Sequence, residues 1–556
     1  MRTLLLRTAA VAVAVALVVV AAAVLGRGGR APSVAGSGAP LPDGLVPPGA
    51  PAPQGFLDLP GPARRDVAVN WTAFADSNLW SAGSARYVAW VAPDGAPMIA
   101  RAAGAGDRSA RAGGDAAGGE RGEATPPEVA DLAKVPGNPL GAPIAVDPHN
   151  VLAVGVDASG YVHVAGNMHS GRLRYLRSAA PGRIDEWVVA PMVGADEGAV
   201  TYPSFTPGPR GSLLFSYRDG SSADGALVLD TLPAGATRWR RTATVLAGGG
   251  SAAPYPHRLV VDGGTIHLFH TWRTGPGAGG NTAVAYVASD DGGTTWRTAS
   301  GAGLEVPVGI DERAFVATVD DVGGGVIVNG GGAAVDGAGR PHALLRVRGP
   351  GPSRPGLWLA SPVEGTWRVR PLPGTEGASG RAALAAGEGS GLVALWPARA
   401  GSSTELVAAE VSDGDAADDR TVVAALPVGE WEPTLDAPAA RRGELCLVVP
   451  VGDGDATSAG VVWWRTRQLA GRRRRQGPLP APVDRGGGGG AGARGAPGAA
   501  AQAHRSSSSS SARPSSTMVS PHTPTNLARC SWLQRSPRRG VAPPSPKLEL
   551  TRRVAR

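Results

Sequence analysis

Between about Asp66 and Gln468, short runs of Val, Leu, Ala, Tyr and Trp alternate with clusters of Gly, Asp and Pro, and no stretch of twelve residues holds a 3.6-residue period. Short apolar runs bounded by turn formers predict strands and hairpins throughout, an all-β domain over 66–468. The polar, Gly-rich stretch Gly104–Gly122 interrupts this texture and predicts a disordered surface insertion. Arg2 and Arg7 precede an apolar run from Thr8 to Leu25, so residues 1–30 predict a signal peptide or an N-terminal membrane anchor. Residues 31–65 are rich in Pro, Gly and Ala and predict a linker. Residues 469–556 hold an Arg run, a Gly run and a Ser run and predict a disordered low-complexity tail.

The β region repeats. Val156-Asp157-Ala-Ser-Gly-Tyr-Val-His163 and Val335-Asp336-Gly-Ala-Gly-Arg-Pro-His342 share a Val-Asp-turn-Gly-x-x-His phrase, and Val261 to His267 carries a copy one residue shorter. Each copy predicts a strand, a tight turn and a second strand. Seven hairpin centres follow, near Tyr87–Ile99, Val151–Arg177, Ser204–Leu229, His257–Ser289, Gly325–Ala360, Ala382–Val411 and Leu445–Trp464. Repeated four-stranded units at this spacing predict a seven-bladed β-propeller.

Composition changes the picture in three ways. Gly (82) and Pro (50) exclude a mainly helical protein, while 42% hydrophobic residues supply a core. Two cysteines, Cys446 and Cys530, exclude a disulfide scaffold and a cysteine-built metal site. The net charge of +8 belongs to the tail: residues 469–556 carry 16 basic and 2 acidic residues, leaving the rest net negative. A nucleic-acid partner is therefore not expected, because a basic footprint should lie on the folded domain.

Ser289-Asp-Asp291-Gly-Gly293-Thr-Thr295-Trp296 fits S-x-D-x-G-x-T-W, the Asp-box. Its Asp and hydroxyl side chains predict bonds to turn amides, its glycines a positive φ, and Trp296 a plug under the hairpin, so it is a folding motif. With the segments 147–178 (DPHNVLAVGVDASGYVHVAGNMHSGRLRYLRS), TYPSF, LLFSYRDG and IHLFHTWRT, the chain resembles the BNR-repeat (bacterial neuraminidase repeat) propeller family. That family includes seven-bladed polysaccharide lyases acting on ulvan. The resemblance is clear over about 145–300 and weaker over 66–144 and 300–468.

The resemblance implies β-elimination across a uronic acid in a glycan. It places His149 and His169, Tyr202 of the Tyr-Pro pair, and Arg218 of Tyr-Arg-Asp-Gly at the catalytic positions. The chemistry suits these residue types. A guanidinium on the carboxylate stabilises the charge that develops when the C5 proton leaves. A tyrosine beside an arginine is expected to have a lowered pKa and to serve as base, acid or both. A histidine supplies the partner proton or orients the sugar. Asn150, Asn167, Trp272, Arg273 and Asn281 are further candidates for sugar contact, whereas His163, His267 and His342 are expected to cap turns or pack. No cofactor is expected for catalysis, and no residue is assigned to a metal. The expected partner is an acidic polysaccharide met by an exported, monomeric protein, with membrane anchoring through residues 8–25 as an option.

The sequence departs from the family at Asn281-Thr282-Ala283, where relatives continue to an Asn-His-Asp triplet, and the Cys/His zinc site of some ulvan lyases is not visible. Two alternatives stay open: a non-catalytic carbohydrate-binding propeller, favoured by that departure, and a sialidase-like glycoside hydrolase, for which the first blade lacks an Arg-Ile-Pro motif.

Overall fold

The computed structural model describes residues 41–65, 69–103, 126–349, 355–387, 391–411, 420–452 and 457–469. The N-terminal apolar run, the 104–122 insertion and the tail beyond Leu469 lie outside the described residues.

The described strands form seven sheets. Five have four strands: β2 (Leu79–Ala82) to β5 (Glu128–Asp131), β6 (Leu152–Val156) to β9 (Trp187–Val188), β10 (Val200–Pro207) to β13 (Arg240–Ala247), β21 (Val326–Val335) to β24 (Thr366–Pro371), and β25 (Ala383–Ala386) to β28 (Thr421–Leu426). The sheet from β14 (Ala253–Pro256) to β20 (Phe315–Thr318) has seven strands. Six sheets thus carry four or more strands; the seventh has three, in the order β1 (Gly55–Pro62), β30 (Ser458–Arg465), β29 (Glu444–Val451). Each expected hairpin centre falls in its own sheet. The first strands of successive sheets are neighbours, β2 beside β6, β6 beside β10, and β21 beside β25. The short helix α1 (Ala437–Ala440) packs on both β29 and β2 and joins the last sheet to the first. The architecture is an all-β propeller.

Strand burial explains the uninterrupted apolar runs. β3 (Ala85–Val91), β6 and β7 (Val162–Gly166) are buried along their whole length, because each sheet is covered on both faces by its neighbours. One core cluster joins Phe269 and Tyr286 of the β14–β20 sheet to Leu345 and Ala360 of the next. Outer strands such as β24 (Thr366–Pro371) are exposed or half-buried throughout.

One expectation is corrected. Residues 31–65 were expected to be linker, yet Gly55–Pro62 is strand β1 and pairs Phe56 with Val462 and Leu57 with Val461. Its two glycines and two prolines hide it from composition; its partner β30 supplies the reason to be extended, and Phe56, Leu57 and Leu59 are buried.

The recurring Asp-turn-His phrase is a structural device. Asp157 Oδ1 accepts from the Ser159 and Tyr161 amides (2.8 and 3.0 Å), while Oδ2 meets His163 Nε2 at 3.3 Å. Asp336 repeats this with the Ala338 and Arg340 amides (both 2.9 Å) and His342 Nε2 at 3.2 Å. His267 bonds Tyr286 Oη at 2.7 Å. All three histidines are buried within blades.

The Asp-box closes as its chemistry requires. Asp291 accepts from Ser289 Oγ (2.9 Å), from the Thr294 and Thr295 amides (2.9 Å each) and from Thr295 Oγ1 (2.7 Å), and Trp296 Nε1 donates to Gly293 O at 2.9 Å. Gly293 has φ +99°, and a Cβ there would lie 2.9 Å from Leu229 and from Thr242. Gly293→Ala is therefore expected to destabilise the domain by about 1–3 kcal/mol, from strain plus contact. A melting curve checks it; an unchanged Tm would show that the turn relaxes freely.

Candidate active site

In an up-and-down antiparallel sheet, the start of the first strand and the end of the second lie side by side. That topology gathers the candidate residues at one rim. His149 precedes β6 and His169 follows β7; Tyr202 lies near the start of β10 and Arg218 near the end of β11 (Leu213–Gly220); Tyr255 is in β14 and Arg273 ends β16 (Thr265–Arg273).

Asp147 organises the two histidines. In Asp147-Pro-His149 its Oδ1 accepts from the His149 amide and from His149 Nδ1, both at 2.8 Å, and its Oδ2 accepts from His169 Nδ1 at 2.8 Å. A carboxylate partner puts the proton on Nδ1 and leaves Nε2 as the basic nitrogen of each ring. Burial would raise the Asp147 carboxyl, but the hydrogen bonds from His149 and His169 outweigh it and hold the group below the ordinary value. The imidazoles stack at 4.0 Å and 20°. Phe74 stacks on the other face of His149 at 5.0 Å and 17°, and Arg381 Cζ lies 4.4 Å from the Phe74 ring. Arg381 is in turn fixed by Glu432 (3.1 Å) and by Asn329 O (2.6 Å). His149 ends up below the ordinary imidazole pKa: burial lowers it most, the charges of His169 and Arg218 add to that, and Asp147 only partly opposes.

Tyr202 sits on a β-bulge. The β10–β11 register shifts between Thr201 and Ser204, and Tyr202 has φ +59°. A left-handed aromatic residue is strained, and a bulge re-aims its side chain. The ring is 5.7 Å from His149, 5.0 Å from Phe74 and 5.8 Å from Tyr255. The expectation of a lowered tyrosine pKa is corrected: burial pushes Tyr202 up to about 12, against a smaller downward pull from Arg218, Arg273 and Arg381.

Arg218 is 2% exposed. Its Nη2 donates to Thr201 Oγ1 at 3.2 Å, its Nε has no partner, and its Cζ lies 5.1 and 4.8 Å from the rings of Tyr202 and Tyr255. Arg273 lies over the same Tyr255 ring at 3.7 Å and donates to Asn281 Oδ1 (2.7 Å) and Asn329 Oδ1 (2.8 Å). Among the described residues, neither guanidinium pairs with a carboxylate. Two buried cations held only by neutral groups leave positive charge at this rim without a carboxylate partner among the described residues.

The structure thus brings His149, His169, Tyr202, Arg218 and Arg273 together. Trp272 is 1% exposed in the core between sheets and has no face for a sugar. Asn281 is buried, bonding Arg273 and Ile327 O (2.7 Å), so it supports the arginine. Asn150 Nδ2 reaches Ala145 O at 3.4 Å, and Asn167, with φ +59°, donates to Leu140 O at 2.7 Å; both brace the histidine loops. Sequence reasoning missed Asp147, Phe74, Tyr255, Arg381 and Asn329. Only Asp147 left a signal, two residues before His149. The others arrive from separate blades. Phe74 also divides a pocket of about 420 Å³, walled by Pro148, Arg381 and Arg399, from a smaller one walled by Tyr202 and His257.

Asp147, His149 and His169 place one carboxylate oxygen and two ring nitrogens within 4.8 Å of one another, and among the described residues this is the group suited to a metal ion.

These features define an Asp-box propeller with a cluster of histidines, aromatic rings and two buried arginines at one rim. Residues 85–374 match the BNR repeat-containing family, and the chain belongs to it. No curated protein matches the chain. Among solved structures, the chain is similar to the polysaccharide lyase Uly1, with 16% identity, TM-score 0.52 and coverage of 76% of this chain and 98% of that one. It is also similar to an ulvan lyase of polysaccharide lyase family PL25 bound to -[GlcA(1-4)Rha3S]-, with 13% identity, TM-score 0.53 and coverage of 74% and 96%. At these identities the likeness is one of fold.

Proposed function

We propose that the chain is an exported polysaccharide lyase that cleaves a uronic-acid glycan by β-elimination. The observation that carries the reading is Arg218: a guanidinium buried beside Tyr202 and Tyr255, with no carboxylate of its own and an Nε without a partner. A uronate carboxylate supplies the missing counter-charge, and its pairing with Arg218 strengthens as C5 is deprotonated.

His149 serves as base and Tyr202 as acid, because each rests in the protonation state its role needs. Neutral His149 takes the C5 proton at Nε2. The C4–C5 double bond forms as the C4–O4 bond breaks, and the Tyr202 hydroxyl gives its proton to O4. The proton on His149 then restores the phenol, directly or through water. The pocket beside Phe74 accommodates a neighbouring sugar, and the fold likeness to two lyases agrees with the reading.

The test is absorbance from new C4–C5 double bonds when the full chain meets a panel of uronic-acid polysaccharides. Glycan bound without a double bond would instead establish a binding propeller, the reading favoured by Asn281-Thr282-Ala283 in place of the family triplet. Free sialic acid would establish a hydrolase.

A pH profile follows from the roles. kcat/KM should fall on the acid side, through a pKa below the usual 6.5, as His149 becomes protonated. No alkaline limb from Tyr202 is expected before about pH 12. Asp147→Asn should lower kcat about tenfold or more by loosening both rings. Asp147 raises the His149 pKa, so the same variant should move the acid limb to lower pH. An unmoved limb would assign the base elsewhere.

A further inference from the structure

The trio that positions the base also has the makings of a metal site. We propose that Asp147, His149 and His169 bind one borderline transition-metal dication of the zinc kind, and that filling this site switches off the acid–base chemistry of the cleft. The inhibition half rests on the lyase reading; the binding half does not.

Four observations converge. The donor set is one carboxylate and two imidazoles, with all three ligand atoms within 4.8 Å. Zinc takes such ligands at about 2.0–2.2 Å, whereas calcium and magnesium require oxygen shells that two histidines cannot provide. The ligand atoms already face one another: each Nδ1 lies 2.8 Å from its own oxygen of the same carboxylate. A dication replaces those two protons once the rings, now stacked 4.0 Å apart at 20°, tilt so that both Nδ1 lone pairs converge on it. The scaffold is braced independently of any ion, since Asn167 Nδ2 bonds Leu140 O at 2.7 Å and the Ser170 amide bonds Thr201 Oγ1 at 2.8 Å. His169 is 43% exposed, which gives the ion a path in and leaves a coordination position open to water. The Arg218 charge opposes any cation here, so the Asp147 carboxylate is indispensable.

Occupancy would disable the base without touching Nε2 directly. Neutral His149 now carries its proton on Nδ1, toward Asp147. With a metal on Nδ1, the neutral His149 ring carries that proton on Nε2 instead, so no proton is gained or lost, but the lone pair that would take the C5 proton is gone. The site is therefore inhibitory.

Equilibrium dialysis of the full chain against Zn²⁺ alone tests the binding half without glycan, so its failure is distinguishable from failure of the lyase reading. The nine histidines of the chain include His504 and His522, and Cys530 is a further ligand, so the readout is a difference. His169→Ala and Asp147→Asn should each bind one Zn²⁺ fewer per chain than the parent, or bind it at least about tenfold more weakly. Ca²⁺ should not compete. His169 is too exposed for its loss to threaten folding, and Asp147→Asn keeps an acceptor in place. Equal zinc binding by parent and both variants would overturn the site. In the glycan assay, filling the site should slow double-bond formation at least about tenfold, with recovery on chelation. A rate indifferent to bound zinc would overturn the switch.

Discussion

Arg218→Ala lowers kcat for double-bond formation by about 10²–10³, the cost of removing one preorganised group aimed at developing charge. Arg218→Lys is expected to recover little, because an ammonium cannot match the planar, two-point geometry of a guanidinium on a carboxylate. The fold should survive either change. Arg218 has a single side-chain hydrogen bond, to Thr201, and no carboxylate partner, so removing it relieves a buried charge instead of breaking an ion pair. The two readouts separate, with activity collapsing while Tm changes little, since relief of the buried charge offsets the packing lost against Tyr202 and Tyr255. Retention of activity within a fewfold would exclude Arg218 as the group that meets the carboxylate, and a large drop in Tm would make it a structural residue.

Tyr202→Phe is the second large effect. It deletes one hydroxyl and keeps the ring packed against Phe74, Tyr255 and Arg218. Phenylalanine meets the same backbone demand at φ +59°, so the bulge should persist. Loss of the proton donor should lower kcat by about 10²–10⁴. KM should change little, since the sugar still has its aromatic wall and its arginine. Glycans with a better leaving group at O4 should suffer less, because they need less help from an acid. Full activity in Tyr202→Phe would assign the acid to another group, with His169 next in reach.

Much of this architecture was legible along the chain, and the reason is physical. A blade is a local object: its hairpins close through contacts a few residues apart, and the Asp157–His163 and Asp336–His342 pairs span six residues each. Such contacts leave a repeating imprint. The site is a non-local object. Phe74 lies ahead of β2, Tyr255 in β14 and Arg381 ahead of β25, and they come near one another only because the ring curls, so no spacing encodes them. Strand β1 was missed for the same reason, since its partner lies at the far end of the domain. Tyr202 shows a subtler limit. A neighbouring arginine was visible in the sequence, but the burial that outweighs it was not.

That distant pairing constrains how the protein comes into being. Gly55 is made early and Trp463 about 400 residues later, yet they face each other across one sheet. Until β30 exists, β1 has no edge to join, and the face of β2 beneath α1 stays open. Six blades can form in order of synthesis, but the ring cannot be sealed until the last. This sets a clock: the segment that leads must wait, unpaired, for the segment that trails. Loss of residues 55–62 should therefore slow or prevent closure without altering any single residue of the cleft.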